Sequence, residues 1–359
     1  MADAHALKDA VKKLFDEVEA SRRARNTKAD TNMLAASSDS LDSSTFAFKS
    51  YRKLDGHLGK VYAQHWSGDE NRLVSASQDG KLIDWNARTG SKVHLVNLIS
   101  GWVMTCGFDP SESPRFVASG GLDNACTIYD VSADSPIISE SKTVLAGHDG
   151  YLSCCRFIKG TNSIVTSSGD TTCIVWDVVT EAPTVRLTDH AGDVMSVSLH
   201  PDNTSQFVSG STDMRALLWD VRTGGPVATF MGHEGDINAV DFMPNGLAFA
   251  TASDDHTIRI FDIRALGCVA AFSAKQAATS VACSKSSRLV VAGFEDAAAR
   301  GWKTVSTEKL PVVELKHSED PAMGGADAAQ RISCVGFNAS GSALSTGSWD
   351  HSLEVWAQA

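Results

Sequence analysis

The chain has 359 residues and a formal net charge of −11, with 32 Lys and Arg against 43 Asp and Glu. An acidic protein lacks the basic footprint expected for nucleic-acid binding, so the charge argues against a nucleic-acid partner. No apolar run approaches the roughly 18–20 residues of a membrane span, and no signal peptide is visible, so we expect a cytoplasmic protein that reaches a membrane only through partners.

The first 26 residues predict an amphipathic helix. Apolar residues recur at the 4-3-4 spacing of a coiled-coil seam at Leu7, Val11, Leu14 and Val18. A helix of two to three heptads alone is marginal in water, so this stripe needs a cover. The cover could come from the rest of the chain, but we expect a helix of a partner protein. Residues 27–45 then predict a linker.

From residue 46 onward the chain repeats one pattern. Seven times an Asp is followed six positions later by an aromatic residue, at Asp79/Trp85, Asp123/Tyr129, Asp170/Trp176, Asp213/Trp219, Asp255/Phe261, Asp296/Trp302 and Asp350/Trp356. The Asp-to-Asp intervals are 44, 47, 43, 42, 41 and 54 residues, a period typical of propeller blades. The repeat predicts an all-β fold, a seven-bladed WD-repeat β-propeller over residues 46–359.

The last blade needs a strand from elsewhere in the chain. Only three residues follow Trp356, too few for an outer strand. Residues 46–54 predict a strand, and we expect it to complete blade 7 and so to close the ring without an open sheet edge. Blade 7 also carries an insertion at residues 318–330, rich in Ala, Gly and Asp, which predicts a mobile surface loop.

Polar residues stand at fixed offsets within the blades. In four blades a His lies 22 or 23 residues before the Asp, and in six blades a hydroxyl lies four residues before it. These side chains suit a buried hydrogen-bond network that joins His, Asp, hydroxyl and the Trp indole. Blades 2 and 6 lack the Gly-His, so we expect incomplete networks and lower local stability there. The predicted members are His57, Ser75, Asp79, Trp85, His148, Thr166, Asp170, Trp176, His190, Ser209, Asp213, Trp219, His233, Thr251 and Asp255.

Nothing in the sequence predicts catalysis. Ser, His and Asp recur in blade after blade, whereas an enzyme needs such a triad once, and no nucleophile-elbow or phosphate-loop motif occurs. The eight Cys have no C-x-x-C spacing and lie in apolar stretches, as expected of small buried side chains. We therefore expect no enzyme activity, no metal and no cofactor.

One face of the predicted propeller carries candidate binding residues. The His loops and the Asp turns open on the same face of each blade, and residues three and five positions after each His point into it. Aromatic, Met and Leu side chains beside charges are typical of a protein interface. For a single residue such as Trp102 or Trp349, packing within its own blade is the alternative. We name these candidates the rim set: Lys60, Tyr62, Trp102, Met104, Leu122, Asn124, Tyr151, Asp193, Met195, Asp236, Asn238, Asp254 and Trp349.

The chain resembles the β subunit of heterotrimeric G proteins. The resemblance spans residues 1–359 and is carried by the stretches 56–66, 73–81, 102–106, 120–124, 150–157, 166–173, 192–196, 236–238 and 347–350. It implies an obligate dimer with a small γ subunit, whose helix pairs with residues 1–26 and whose prenyl group anchors the pair at the inner face of the plasma membrane. It also implies that the rim set binds the GDP-bound α subunit and, after its release, effectors in receptor signalling.

Two blades depart from the family pattern. Blade 6 is least similar at residues 294–300, and the insertion in blade 7 is unusual, so effector contacts of relatives in these blades are not carried over. An alternative is a general WD-repeat scaffold similar to the receptor for activated C kinase. The predicted helix argues against it, because that scaffold begins almost directly with its first blade. A substrate adaptor of a ubiquitin ligase would need an F-box or similar segment, and none is visible.

Overall fold

The computed structural model describes residues 47–98, 100–111, 113–132, 135–305, 309–317 and 331–358. These residues form seven sheets, of which six have four strands and one has five. The predicted seven-bladed β-propeller is confirmed. Within these ranges no helix is long and apolar enough to cross a membrane. The predicted helix at 1–26, the linker at 27–45 and the insertion at 318–330 lie outside the described residues.

The blades follow one another along the chain and are numbered from the first complete repeat. The first strand is β1 (Phe48–Asp55), and blade 1 contains β2 (Val61–Trp66), β3 (Arg72–Ser77), β4 (Lys81–Asn86) and β5 (Lys92–Asn97). Blade 2 contains β6 (Val103–Phe108), β7 (Phe116–Gly121), β8 (Ala125–Asp130) and, after the short strand β9 (Ile137–Ile138), β10 (Thr143–Ala146). Blade 3 contains β11 (Leu152–Phe157), β12 (Ser163–Ser168), β13 (Cys173–Asp177) and β14 (Ala182–Leu187).

The remaining blades follow the same plan from the axis outward. Blade 4 contains β15 (Val194–Leu199), β16 (Gln206–Ser211), β17 (Ala216–Asp220) and β18 (Gly225–Phe230). Blade 5 contains β19 (Ile237–Phe242), β20 (Ala248–Ser253), β21 (Thr257–Asp262) and β22 (Gly267–Ser273). Blade 6 contains β23 (Ala278–Cys283), β24 (Leu289–Phe294), β25 (Ala298–Lys303) and β26 (Val313–Lys316). Blade 7 contains β27 (Ile332–Phe337), β28 (Ala343–Ser348) and β29 (Ser352–Gln358), with β1 as its fourth strand.

The apolar core lies between neighbouring blades. The second strand of a blade is covered on both faces, so β20 is buried at every position and its sequence does not alternate between polar and apolar. One core cluster joins blades 5 and 6 through Ile260, Phe272, Val281 and Trp302. Each blade therefore depends on its neighbours to bury the apolar surface that favours folding.

The ring closes between the two ends of the described chain. Strand β1 pairs antiparallel with β29, from Phe48 opposite Gln358 to Asp55 opposite Ser352. Strand β1 therefore occupies the outer position of blade 7, and it overlaps the strand predicted at residues 46–54. A feature that the sequence did not predict is β9, which pairs in parallel with β5 and gives blade 1 its fifth strand.

The inner strands surround a central cavity of about 1800 Å³. Its wall carries one buried acid, Asp241, whose Oδ1 accepts a hydrogen bond from Ser198 Oγ at 3.1 Å and whose Oδ2 accepts one from the N–H of Cys283 at 2.8 Å. Burial raises the pKa of Asp241 to about 6, although these hydrogen bonds and the nearby Arg156 oppose the shift. The wall thus holds a carboxyl group that titrates well above the usual range for Asp.

Raising the pH should weaken the fold through Asp241. The folded protein holds this proton more tightly than the unfolded chain, so the stability that the proton confers is complete below pH 4 and is lost as the pH rises through about 6. The full shift corresponds to roughly 2–3 kcal/mol. Urea denaturation from acid to neutral pH should show Asp241→Asn gaining stability relative to the unmodified chain as the pH rises. Asp202→Asn, in the exposed loop after β15, serves as the control; parallel curves for all three proteins would contradict the prediction.

Candidate protein interface

A hydrogen-bond network ties the loop before each inner strand to the turn behind it. In blade 3, His148 Nδ1 lies 2.8 Å from Asp170 Oδ2 and His148 Nε2 lies 2.8 Å from Thr166 Oγ1. Trp176 Nε1 donates to the same hydroxyl at 2.8 Å. Burial alone would raise the pKa of Asp170, but hydrogen bonds from Thr172, the N–H of Asp149 and His148 lower it to about 2. The loop and the turn that face the rim are therefore held rigidly.

The same network recurs around the ring. It is complete in blade 1 (His57, Ser75, Asp79 and Trp85) and in blade 4 (His190, Ser209, Asp213 and Trp219). In blade 5, His233 contacts Asp255 and Thr251, and the network ends there because Phe261 has no N–H to donate. Blade 7 has a complete network that the sequence reasoning did not include, formed by His317, Thr346, Asp350 and Trp356. Its signal was present, but the insertion stretches the His-to-Asp spacing to 33 residues.

Blade 6 uses a different arrangement. Asp296 is bound by Arg300, with Nη2 to Oδ2 at 2.6 Å, in place of a His. Trp302 Nε1 donates to the carbonyl of Lys309 at 3.2 Å in place of a hydroxyl. In blade 2, the buried Ser119 and Tyr129 occupy the network positions, but no His precedes them. The lower stability expected for these two blades stays a prediction.

Strand register places the rim set at one end of the propeller. Each inner strand begins opposite the last residue of the second strand, as in Val61 opposite Ser77 and Val194 opposite Ser211. The residues at the start of the inner strand and those in the Asp turn are therefore neighbours on the same face. All thirteen members of the rim set lie at these two places.

An aromatic cluster forms one side of the rim. The ring of Tyr62 lies 6.4 Å from that of Trp102 and 6.0 Å from that of Trp349, measured between centroids. The ammonium of Lys60 lies 4.0 Å from the centroid of the Trp349 ring, a cation–π distance. Trp102 is 46% exposed and Leu122, in the next turn, is 52% exposed. Large apolar side chains thus face solvent from a rigid support.

Sequence reasoning missed one member of this cluster, Arg331. Its guanidinium carbon lies 5.0 Å from the Trp349 ring centroid, and its Nη1 lies 3.4 Å from Glu295 Oε1. Arg331 directly precedes β27, the position that Lys60 holds in blade 1. The insertion before it removes the constant offset from the His that located the other rim residues. The indole Nε1 of Trp349 is buried and has no hydrogen-bond partner within the described residues.

The other side of the rim is acidic. Tyr151 Oη donates to Asp193 Oδ2 at 2.9 Å and lies 3.5 Å from Met195 Sδ. In blade 5, Asn238 Nδ2 donates to Asp254 Oδ1 at 2.6 Å. Burial, followed by the negative charges of Asp254 and Asp193, raises the pKa of Asp236. A cation from a partner would relieve the repulsion among these carboxylates.

The remaining predicted residues lie in blade 2 or outside the described residues. Met104, the second residue of β6, is half-buried, and Asn124 adopts a left-handed conformation with φ of 58° in the turn beside Leu122. The coiled-coil residues Leu7, Val11, Leu14 and Val18 lie outside the described residues.

Comparison with known proteins identifies the family. Residues 1–357 match the family described as G protein beta WD-40 repeat protein. The chain is 45% identical to guanine nucleotide-binding protein G(I)/G(S)/G(T) subunit beta-1 of Homarus americanus, over 99% of this chain and 100% of that protein. It is 46% identical to a guanine nucleotide-binding protein subunit beta of Lymnaea stagnalis, over 99% of each, and 43% identical to that of Arabidopsis thaliana, over 85% of this chain and 82% of that protein. A seven-bladed ring with an aromatic and acidic rim, matched along almost its whole length, belongs to the G protein β-subunit family.

Proposed function

We propose that this protein acts by binding, as the β subunit of a heterotrimeric G protein in receptor signalling. In this role it pairs with a γ subunit through residues 1–26 and the propeller, and it binds the GDP-bound α subunit through the rim set. The observation that carries the proposal is the aromatic cluster of Tyr62, Trp102 and Trp349 beside Lys60, exposed at the centre of a rigid face. Buried aromatic anchors supply most of the binding energy in many protein interfaces.

The rim suits a partner that is exchanged. Its supporting loops are fixed by the blade networks, so little conformational entropy is lost when a partner binds. The same few aromatic and acidic groups can serve either the α subunit or an effector, but not both at once. Release of the α subunit after nucleotide exchange would therefore expose a surface that is already in its binding conformation.

Membrane attachment would come from the partner. A prenyl group on the γ subunit would place the dimer at the cytoplasmic face of the plasma membrane. A single lipid chain binds membranes weakly, so a second anchor on the α subunit would strengthen the attachment of the trimer.

Trp102→Ala should lower the affinity for the GDP-bound α subunit by about 1–3 kcal/mol and leave the fold intact. Nearly half of the Trp102 side chain is exposed, so its loss costs more in binding than in stability. The measurement is a titration of the β–γ dimer with α–GDP, beside a thermal melt. Val227→Ala, on the outer strand β18 with 54% exposure, is the matched control. Unchanged affinity, or unfolding of the mutant, would assign Trp102 to packing in its own blade.

The partners themselves can be identified by purifying the tagged full chain from its own cells. A stoichiometric small protein with a prenylated C-terminus, together with a nucleotide-dependent GTPase, would support the proposed role. Ribosomal proteins in place of a small helical partner would instead favour the general scaffold.

A further inference from the structure

Three methionines lie along the radius of blade 4 on the rim face. Met195 is the second residue of the inner strand β15, Met214 lies in the turn between β16 and β17, and Met231 directly follows the outer strand β18. Met214 is 45% exposed and Met231 is 68% exposed. Because Ala216 pairs with Phe230, the ends that carry Met214 and Met231 are adjacent. We call these three residues the methionine line.

Met214 occupies a position that does not favour a long side chain. Its φ is 64°, in the left-handed region, where Gly and Asn fit best and a bulky residue is disfavoured by roughly 1–2 kcal/mol. The same position in the other blades holds smaller or polar residues, namely Gly80, Asn124, Thr171, His256, Ala297 and His351. Blade 4 alone places an exposed, flexible, apolar side chain there.

Acidic residues flank the methionine line. Asp193 lies at its inner end, and the loop that follows Met231 carries Glu234 and Asp236. The exposed Asp254 completes this group, and its charge acts on Asp236 together with that of Asp193. No Lys or Arg within the described residues forms an ion pair with these four carboxylates. The charge of this region is therefore available to a partner.

We propose that the methionine line binds an amphipathic α-helix of a protein partner, with an apolar face that packs on the three methionines and Lys or Arg residues that meet the flanking carboxylates. The inference rests on the proposed function, because the line continues the rim set outward from Met195 and Asp193. Met side chains are flexible and polarizable, which lets one surface fit helices of different sequence. The acidic flank selects basic helices and speeds their association.

The test uses the full chain with its co-purifying subunits and a fluorescent synthetic peptide of about 18 residues, or five helical turns. The peptide carries Leu on one helical face and Lys on the other. A scrambled peptide of the same composition and a peptide with Glu in place of Lys are compared by fluorescence anisotropy. We expect only the ordered Lys peptide to bind tightly. Equal binding of the scrambled peptide would reduce the effect to net charge and would overturn the proposal.

Variants of the methionines locate the site. Met214→Ala with Met231→Ala should weaken binding of the ordered Lys peptide by about tenfold. The matched pair Val227→Ala with Val269→Ala, which removes two exposed apolar residues from outer strands, should change it by less than about twofold. Met214→Asn suits the left-handed turn, so weaker binding by that variant cannot be attributed to a damaged fold. Full peptide affinity in the double Met variant would sink the proposal.

The α subunit separates this inference from the proposed function. The double Met variant should keep its affinity for α–GDP, whereas Trp102→Ala should lose it. If Trp102→Ala leaves α binding unchanged, the proposed function fails, whatever the peptide does. If only the peptide ignores the methionines, the further inference fails and the proposed function stands.

Discussion

Asp170→Ala is expected to lower the free energy of unfolding by about 3–4 kcal/mol. The carboxylate accepts hydrogen bonds from His148, from the N–H of Asp149 and from the backbone and hydroxyl of Thr172. Alanine removes every one of these acceptors, and the side chain of His148 is almost fully buried. The loss should appear as a lower midpoint in urea, because the donors stay buried without partners.

Blade 6 supplies the matched control for this prediction. Asp296 stands at the same repeat position, but it is exposed and its bonding partner is Arg300. Asp296→Ala should therefore cost less than about 1 kcal/mol. The pKa of Asp170 is about 2, so its stabilising effect is present above the ordinary Asp pKa and is lost as the pH falls toward 2. The difference between Asp170→Ala and the unmodified chain should accordingly narrow in acid. Equal losses for the two substitutions would show that the blade network contributes little.

Gly121→Ala should cost about 3 kcal/mol or more and should also weaken binding at the rim. A Cβ at Gly121 would overlap the carbonyl oxygen of Trp102, which is backbone and cannot rotate away. That carbonyl also accepts a hydrogen bond from the N–H of Leu122 at 3.2 Å. Relief of the overlap must therefore move Trp102 and Leu122 together. We expect both a lower melting temperature and a lower affinity for α–GDP.

Gly101→Ala is the control on the other side of Trp102. A Cβ there would meet no atom within 4 Å, so the substitution should leave stability and binding nearly unchanged. If Gly121→Ala melted and bound like Gly101→Ala, the close packing of β7 against β6 could not be what positions Trp102.

The features that could be predicted from sequence repeat at a fixed spacing. The Asp and aromatic pairs indicated the seven blades because each pair marks the same turn and the same strand. The network of His148, Thr166, Asp170 and Trp176 was accessible for the same reason, since all its members lie within one repeat. Likewise, the shortage of residues after Trp356 pointed to a strand before blade 1.

The features that were missed depend on contacts particular to one blade or on ring closure. In blade 1, Arg72 and His94 both bind the buried Asp84, at a position where five of the other blades hold a larger apolar residue. Nothing in the repeat indicates such a cluster. Arg331 contacts Trp349 across an insertion that hides its offset, and Asp241 gains its high pKa from the closed ring around it.

The pairing of β1 with β29 sets the timing of folding. Strand β1 has a single neighbour, β29, which lies about 300 residues later in the chain. At a synthesis rate of 5–20 residues per second, β1 waits for about 15–60 s before its partner exists. During that time its hydrogen-bonding groups are unpaired, and an unpaired strand edge promotes association with other chains. Blades 1 to 6 can form in order as they are made, but the ring becomes a single cooperative unit only when the last strand arrives.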